Sequence, residues 1–230
     1  MDIKDIALLI PPIYRTLLFI LVCIAIALYK NADAFSKKLV LYLVLMGLVE
    51  VLSYFMGYVL KISNYILLPF YCFLELSFFL YLYKRFFLKR NFFIFMIIGL
   101  LALTYILGET LWFFVLTKSD TANFQPYCKV ADNFTIICLA LTFLYNKMAE
   151  YNETRWDKFW INIVFLLYFT FDMLFFLPFS FIVSANNNIK FIFWILHQMA
   201  LLALYSYLLI QVINDVRNNK NISSKTGYFK

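Results

Sequence analysis

Charged residues are scarce in this chain, and so are the residue types from which many enzyme sites are built. Only 14% of the 230 residues are Asp, Glu, Lys or Arg, against about 25% in a typical soluble domain. The single histidine, His197, excludes a His-rich metal site. Four cysteines without CxxC spacing favour neither a zinc site nor a disulfide framework. Five Gly and five Pro are too few for a fibrous or disordered chain.

Common catalytic and nucleotide-binding motifs are also missing. The sequence contains no HExxH, P-loop, GxGxxG, GxSxG or GxGD. A light-driven retinal protein needs a lysine deep in its last span, and the only lysine near that position is Lys190, at the mouth of the span. We therefore predict a protein that is not an enzyme, with no catalytic residue, no metal and no cofactor.

Apolar residues are abundant, at 64% of the chain with a mean hydropathy of +0.82. So small a chain cannot bury them all, and the surplus apolar surface needs lipid. A run of about 20 apolar residues spans the bilayer core, and seven such runs occur, at 12–29, 39–60, 64–83, 92–117, 127–146, 159–183 and 191–213. The sequence predicts an all-α, polytopic membrane bundle of seven helices (residues 1–213) and a short cytoplasmic tail (214–230).

Two of the seven runs are imperfect. Pro11, Pro12 and Arg15 interrupt the start of the first run, and Lys129 and Asp132 occupy the first turns of the fifth. The opening residues "MDIKDIALLIPPIYR" carry acids and precede no small-residue cleavage site, unlike a secretory signal peptide. We therefore expect the first run to remain as an anchor.

Lysine and arginine are distributed unequally between the two sides of this arrangement. One side carries 14 of them and the other side 6. Because short cytoplasmic loops carry the excess of Lys and Arg, the count predicts an amino terminus outside, a carboxyl terminus inside and a place in the cell inner membrane. The side predicted to be inside holds Lys30, Lys37, Lys38, Lys84, Arg85, Lys89, Arg90, Lys147, Arg155, Lys158, Arg217, Lys220, Lys225 and Lys230.

The formal net charge of +7 follows from these loops. The segment "KRFFLKR" (84–90) is typical of a basic cytoplasmic loop that contacts lipid headgroups. It does not favour direct binding of nucleic acid. The predicted partners are the lipid bilayer and a cytosolic protein bound at the basic inner loops, with a homo-oligomer left open.

Three acids lie near the middle of the predicted spans: Glu50, Glu75 and Asp172. A charge at that depth costs about 2.5–3.5 kcal/mol on insertion scales. No Lys or Arg is expected at the same depth, so each acid must be protonated, hydrogen-bonded within the bundle, or in contact with water or a cation. These residues form a candidate intramembrane polar site. Pro178, six residues after Asp172, is expected to kink the sixth span.

A second polar group is predicted nearer the outer surface, formed by Glu109, His197 and Gln198. We expect His197 to bond to Glu109 or Gln198. Two interpretations of the intramembrane polar residues remain open. They serve either as hydrogen-bonding groups between helices or as a path for an ion, a proton or a ligand.

Three stretches carry a resemblance to known proteins: "YILLPFYCFLELSFFLYLYKRFF" (65–87), "FWINIVFLLYFTFDMLFF" (159–176) and "FWILHQMALLALYSYLL" (193–209). They resemble a group of small seven-span bacterial membrane proteins. Within that group the chain is similar to the multi-pass accessory membrane proteins of type VI-B CRISPR loci, which work beside an RNA-targeting nuclease. The resemblance implies a regulatory role in antiviral defence and assigns no functional residue.

The sequence thus predicts a non-enzymatic accessory protein of the inner membrane that acts through a cytosolic partner. One alternative is a channel or transporter for an ion, a proton or a small molecule, built on Glu50, Glu75 and Asp172. Another is a seven-span sensor whose ligand enters from outside, near Glu109, His197 and Trp194.

Overall fold

The computed structural model describes residues 3–61, 67–88, 92–116, 125–149, 158–184 and 189–226. Within these ranges the chain is helical and contains no strand. Seven of the described helices are long and apolar enough to cross a membrane, which confirms the predicted multi-pass helical architecture. These spans are Leu9–Asn31, Ala34–Val59, Leu67–Phe87, Phe93–Leu116, Tyr127–Ala149, Phe159–Phe176 and Ile189–Asn219.

The helices follow one another with short interruptions. They are α1 (Ile3–Leu28), α2 (Ala34–Tyr54), α3 (Leu67–Leu82), α4 (Phe92–Thr110), α5 (Tyr127–Ala149), α6 (Phe159–Phe176), α7 (Phe179–Ser184) and α8 (Ile189–Thr226). A 3-10 turn follows α1, and widened π-helical turns extend α2, α3 and α4. Helix α1 continues through Pro11 and Pro12, so these prolines do not interrupt it. Helix α8 continues to Thr226, through most of the predicted tail.

The sixth span departs from its prediction. We expected Pro178 to kink a helix that would continue to residue 183. Instead, α6 ends at Phe176, and the short helix α7 begins at Phe179. The side-chain amide of Gln125 donates hydrogen bonds to the carbonyls of Phe176 and Leu177, at 3.0 Å each, and so stabilises the break between the helices.

The chain divides into two compact units. The first comprises residues 1–51 and 198–230, and the second residues 52–197. In the first unit, α1 approaches α2 closely, since a Cβ atom added at Gly47 would lie 3.1 Å from Val22. Helix α8 packs on α2 through the edge-to-face pair Tyr42–Tyr205, whose ring centroids lie 6.2 Å apart.

The second unit has an aromatic core between α3, α5 and α6. Phe79 of α3 is fully buried and meets the rings of Phe165 and Phe169 edge-on, at 5.0 and 4.9 Å. Aromatic pairs prefer such edge-to-face arrangements because the ring edge is positive and the ring face negative. This packing fixes the rotation of α6 against α3 and directs polar side chains of both helices inward.

A buried hydrogen-bond chain joins the same three helices. Tyr83 donates to Asn162 Oδ1 at 2.6 Å, and Asn162 Nδ2 donates to the carbonyl of Ala140 at 3.1 Å. Outside the core, large apolar side chains such as Phe93, Trp160 and Leu167 are exposed. Exposed apolar side chains on helices of this length are suited to contact with lipid.

Candidate functional site

A lysine is buried in the second unit. Lys129 is the third residue of α5, and only 1% of its side chain is exposed. A lysine is almost never fully buried unless it is paired. Its surroundings therefore have to supply the partners for the charge.

Three carboxylates supply them. Lys129 Nζ contacts Glu75 Oε2 on α3, Asp132 Oδ2 on α5 at 3.0 Å and Asp172 Oδ2 on α6 at 3.2 Å. An ammonium group has three N–H donors, so each carboxylate can receive one of them. We call Lys129, Glu75, Asp132 and Asp172 the acid–lysine cluster; all four side chains are 1% exposed or less.

Two aromatic rings complete the surroundings of the ammonium. Lys129 Nζ lies 4.7 Å from the ring centroid of Tyr71 and 5.6 Å from that of Phe169. Ring faces attract cations electrostatically at these distances. Tyr71 also donates its hydroxyl hydrogen to Glu75 Oε1, one helical turn away, at 2.8 Å. The aromatic core therefore also contributes to holding the lysine.

Asp172 has two further partners. Asn133 Nδ2 donates to Asp172 Oδ2 at 2.9 Å, and His197 Nδ1 lies 3.0 Å from Asp172 Oδ1. The His197 ring is stacked on Phe175 with centroids 4.8 Å apart. Its side chain is 10% exposed, whereas Asp172 is fully buried. His197 is thus a buried partner of Asp172 that is slightly more exposed than the acid–lysine cluster.

The charges of the cluster do not balance. Three ionised carboxylates and one ammonium leave two negative charges uncompensated if His197 is neutral. Asp132 Oδ1 and Asn133 Oδ1 are buried acceptors with no hydrogen-bond partner among the described residues. The Glu75 and Asp132 carboxylates both contact Lys129 Nζ and so lie close to each other, and a proton on one of them would reduce their mutual repulsion. The site therefore needs additional positive charge and hydrogen-bond donors.

Among the described residues, no group of three or more His, Cys, Asp or Glu side chains has an arrangement that would hold a metal. The Lys129 ammonium already lies between the three carboxylates. Protons and cations that donate hydrogen bonds are the species that fit the site.

The predicted intramembrane polar site is brought together in part. Glu75 and Asp172 meet through Lys129. Glu50 belongs to the first unit, where it accepts a hydrogen bond from Arg15 Nε at 3.0 Å. The expectation that no Lys or Arg would neutralise these acids was wrong, since Arg15 or Lys129 contacts each of the three.

The error came from counting depth along the sequence. Asp172 seemed central because the sixth span was predicted to reach residue 183, but α6 ends at Phe176. Asp172 is therefore only four residues from the end of α6, or about 6 Å at 1.5 Å per residue. Lys129 lies in the first turn of α5, and its long side chain brings its charge to Asp172.

The three residues of the predicted outer cluster, Glu109, His197 and Gln198, have different surroundings in the structure. His197 faces Asp172 instead of Glu109. The Glu109 carboxylate lies beside Tyr105 and the first residues of α5, Tyr127 and Cys128. Gln198 is buried and belongs to the first unit. No contact between Glu109 and His197 supports a shared site.

Sequence reasoning missed Lys129, Asp132 and Asn133 as site residues. It treated Lys129 and Asp132 as defects of a span. Their spacing carried a signal, however, because residues three and four apart on a helix share one face. One lysine, one acid and one amide on a single face of an apolar helix indicate a buried polar contact.

Comparison with family models, with curated proteins and with solved structures finds no match to this chain.

Proposed function

We propose that the protein is a proton-coupled membrane transporter in which the acid–lysine cluster binds and releases protons. The observation that carries the proposal is the ratio of charges in the cluster: one ammonium lies among three carboxylates that are all fully buried. Ionisable residues inside membrane spans commonly mark ion or proton paths.

Charge balance supports protons as the ions that bind. An uncompensated buried charge is strongly unfavourable, so the two excess negative charges need counterparts. A proton on Asp132 Oδ1, which has no partner among the described residues, would remove one of them. A second proton on Asp172 or His197 would remove the other.

His197 provides the step between the buried acids and the surface. Its Nδ1 faces Asp172, and its side chain is partly exposed. Imidazole can accept a proton on one ring nitrogen and release one from the other. His197 is therefore the residue through which a proton reaches Asp172.

The test is proton flux in liposomes that contain the purified protein and a trapped pH-sensitive dye. We expect an imposed pH gradient to collapse faster than in empty liposomes. Glu75→Gln and Asp172→Asn should slow this collapse to the empty-liposome rate. Asp215→Asn is the matched control, because that carboxylate lies outside the cluster and accepts a hydrogen bond from the Asp33 backbone. Equal flux with all three variants would refute the proposal.

We also propose the orientation that the Lys and Arg count predicts, with the amino terminus outside and the carboxyl terminus inside the cell inner membrane. Reporter domains fused after residue 230 provide the test. A cytoplasmic reporter should be active there and a periplasmic reporter inactive. The reverse result would invert the orientation.

A second candidate function is regulation of a cytosolic partner, including an RNA-targeting defence nuclease. Lys84 and Arg85 favour it, because both are exposed at the end of the third span. Purification from the native host after mild cross-linking should recover a partner that is lost in Lys84→Gln/Arg85→Gln. Recovery of the protein without a partner would refute this role.

A further inference from the structure

The acid–lysine cluster has the chemistry of a site for a small organic cation. We infer that it binds a cation with N–H donors, an alkylammonium or guanidinium ion, in exchange for protons. This inference rests on the proposed transport function and adds the class of substrate.

The site already holds a cation of this kind. The Lys129 ammonium contacts three carboxylates and lies near the ring faces of Tyr71 and Phe169. Carboxylates and aromatic rings are the groups that recognise ammonium ions. A free alkylammonium ion beside Lys129 would find partners of the same kind, such as the unpartnered Asp132 Oδ1.

Protonation of the acids leaves one buried acceptor, Asn133 Oδ1, without a partner among the described residues. Asn133 is fully buried, and its Nδ2 is bonded to Asp172. That bond fixes the orientation of the amide, so Oδ1 points to a place where no described residue donates to it. An amide oxygen needs an N–H or O–H donor, and a bound alkylammonium or guanidinium ion carries such donors.

Charge balance couples binding of the cation to release of protons. The cluster has two negative charges to compensate when His197 is neutral. A monovalent cation compensates one of them and displaces a proton. Binding of the cation and release of a proton are therefore coupled through the same carboxylates.

The first experiment fills the space left by Lys129→Ala. This substitution removes three carbons and the ammonium, which n-propylammonium reproduces. We expect n-propylammonium to raise the unfolding temperature of purified Lys129→Ala in a saturable way, and 1-propanol not to do so. Tetramethylammonium, which has charge but no N–H, should bind about tenfold more weakly or worse because the acceptors remain unpaired. Lys147→Ala, on the same helix, is the control and should not respond.

The second experiment uses the wild type. Labelled guanidinium, which stays charged and crosses lipid poorly, should enter liposomes containing the protein when their interior is acidic. Asn133→Leu should reduce this uptake at least severalfold, whereas Lys147→Ala should leave it unchanged. If Lys129→Ala does not fold, this experiment decides by itself.

The outcomes separate the two proposals. Proton flux without guanidinium uptake, together with no stabilisation by n-propylammonium, overturns the organic-cation inference and leaves proton transport standing. Stabilisation by n-propylammonium without proton flux supports cation binding and overturns the transport proposal. Absence of flux, uptake and stabilisation overturns both.

Discussion

Replacement of Lys129 by methionine is the sharpest test of how the cluster is held together. Methionine is similar in length to lysine but carries no charge. The substitution removes the partner of three buried carboxylates while it leaves most of the packing against Tyr71 and Phe169 in place. The result therefore reports mainly on charge.

The expected size follows from the burial. Removing one partner of a buried ion pair destabilises a protein by about 3–5 kcal/mol, because the other charge is left uncompensated. Lys129 contacts three carboxylates, but their contributions do not add, since protonation of the acids relieves part of the loss. We expect the free energy of unfolding to fall by about 3–5 kcal/mol.

Unfolding in mixed micelles with increasing dodecyl sulfate measures this change. Lys147→Met is the matched control, because Lys147 lies in the last turn of the same helix and its ammonium lies 5.8 Å from the Phe143 ring, outside the acid–lysine cluster. It should alter the free energy of unfolding by less than about 0.5 kcal/mol.

A double substitution tests the pairing directly. Asp132→Asn removes one of the excess negative charges, so Lys129→Met/Asp132→Asn should lose less stability than the sum of the two single variants. Coupling between contacting residues is typically about 0.5–3 kcal/mol. If Lys129→Met costs less than about 1 kcal/mol and the double variant is additive, the charges are not coupled and the reasoning fails.

Three other changes test the packing and the limits of the site. Tyr83→Phe should lower the free energy of unfolding by about 1–3 kcal/mol, because the buried Asn162 Oδ1 loses its donor. Gly99→Ala should lower the free energy of unfolding by about 1–3 kcal/mol, since a Cβ atom there would lie 2.4 Å from the side chain of Leu80. Gly108→Ala should be nearly neutral, because a Cβ atom there meets nothing within 4 Å. Equal changes in the two variants would contradict the close approach of α3 and α4. Glu50→Gln should leave proton flux in liposomes unchanged, because that carboxylate is balanced by its own arginine; loss of flux would add it to the proton path.

The sequence predicts contacts between residues one turn apart on a helix better than it predicts contacts between residues on different helices. The contact between Tyr71 and Glu75 was predictable, because it joins residues one helical turn apart. The contact between Asp172 and His197 was not, because it joins residues on different helices. The sequence suggested Glu109 or Gln198 as the partner of His197 because these residues were predicted at a similar depth. A similar depth does not determine which sides of two helices are in contact.

Lys129 shows the same limit more strongly. Next to an apolar run, a lysine and an acid suggested the edge of a membrane span. Helix α6 ends at Phe176 and packs through Phe165 and Phe169 against α3, which brings Asp172 to Lys129. Both charges could be read from the sequence. Where α6 ends and how it packs on α3, which together bring the charges into contact, could not.

The sequence by itself determined that the chain forms seven long apolar helices, because hydrophobicity over about 20 residues is a local property that needs no knowledge of neighbours. It also determined which polar residues lie within those helices. Only the tertiary structure decided how their charges pair, because pairing depends on the rotation of each helix and on where it ends. Those features arise from packing between residues distant in sequence. They place Lys129, which interrupts the apolar run of the fifth span, at the centre of the acid–lysine cluster.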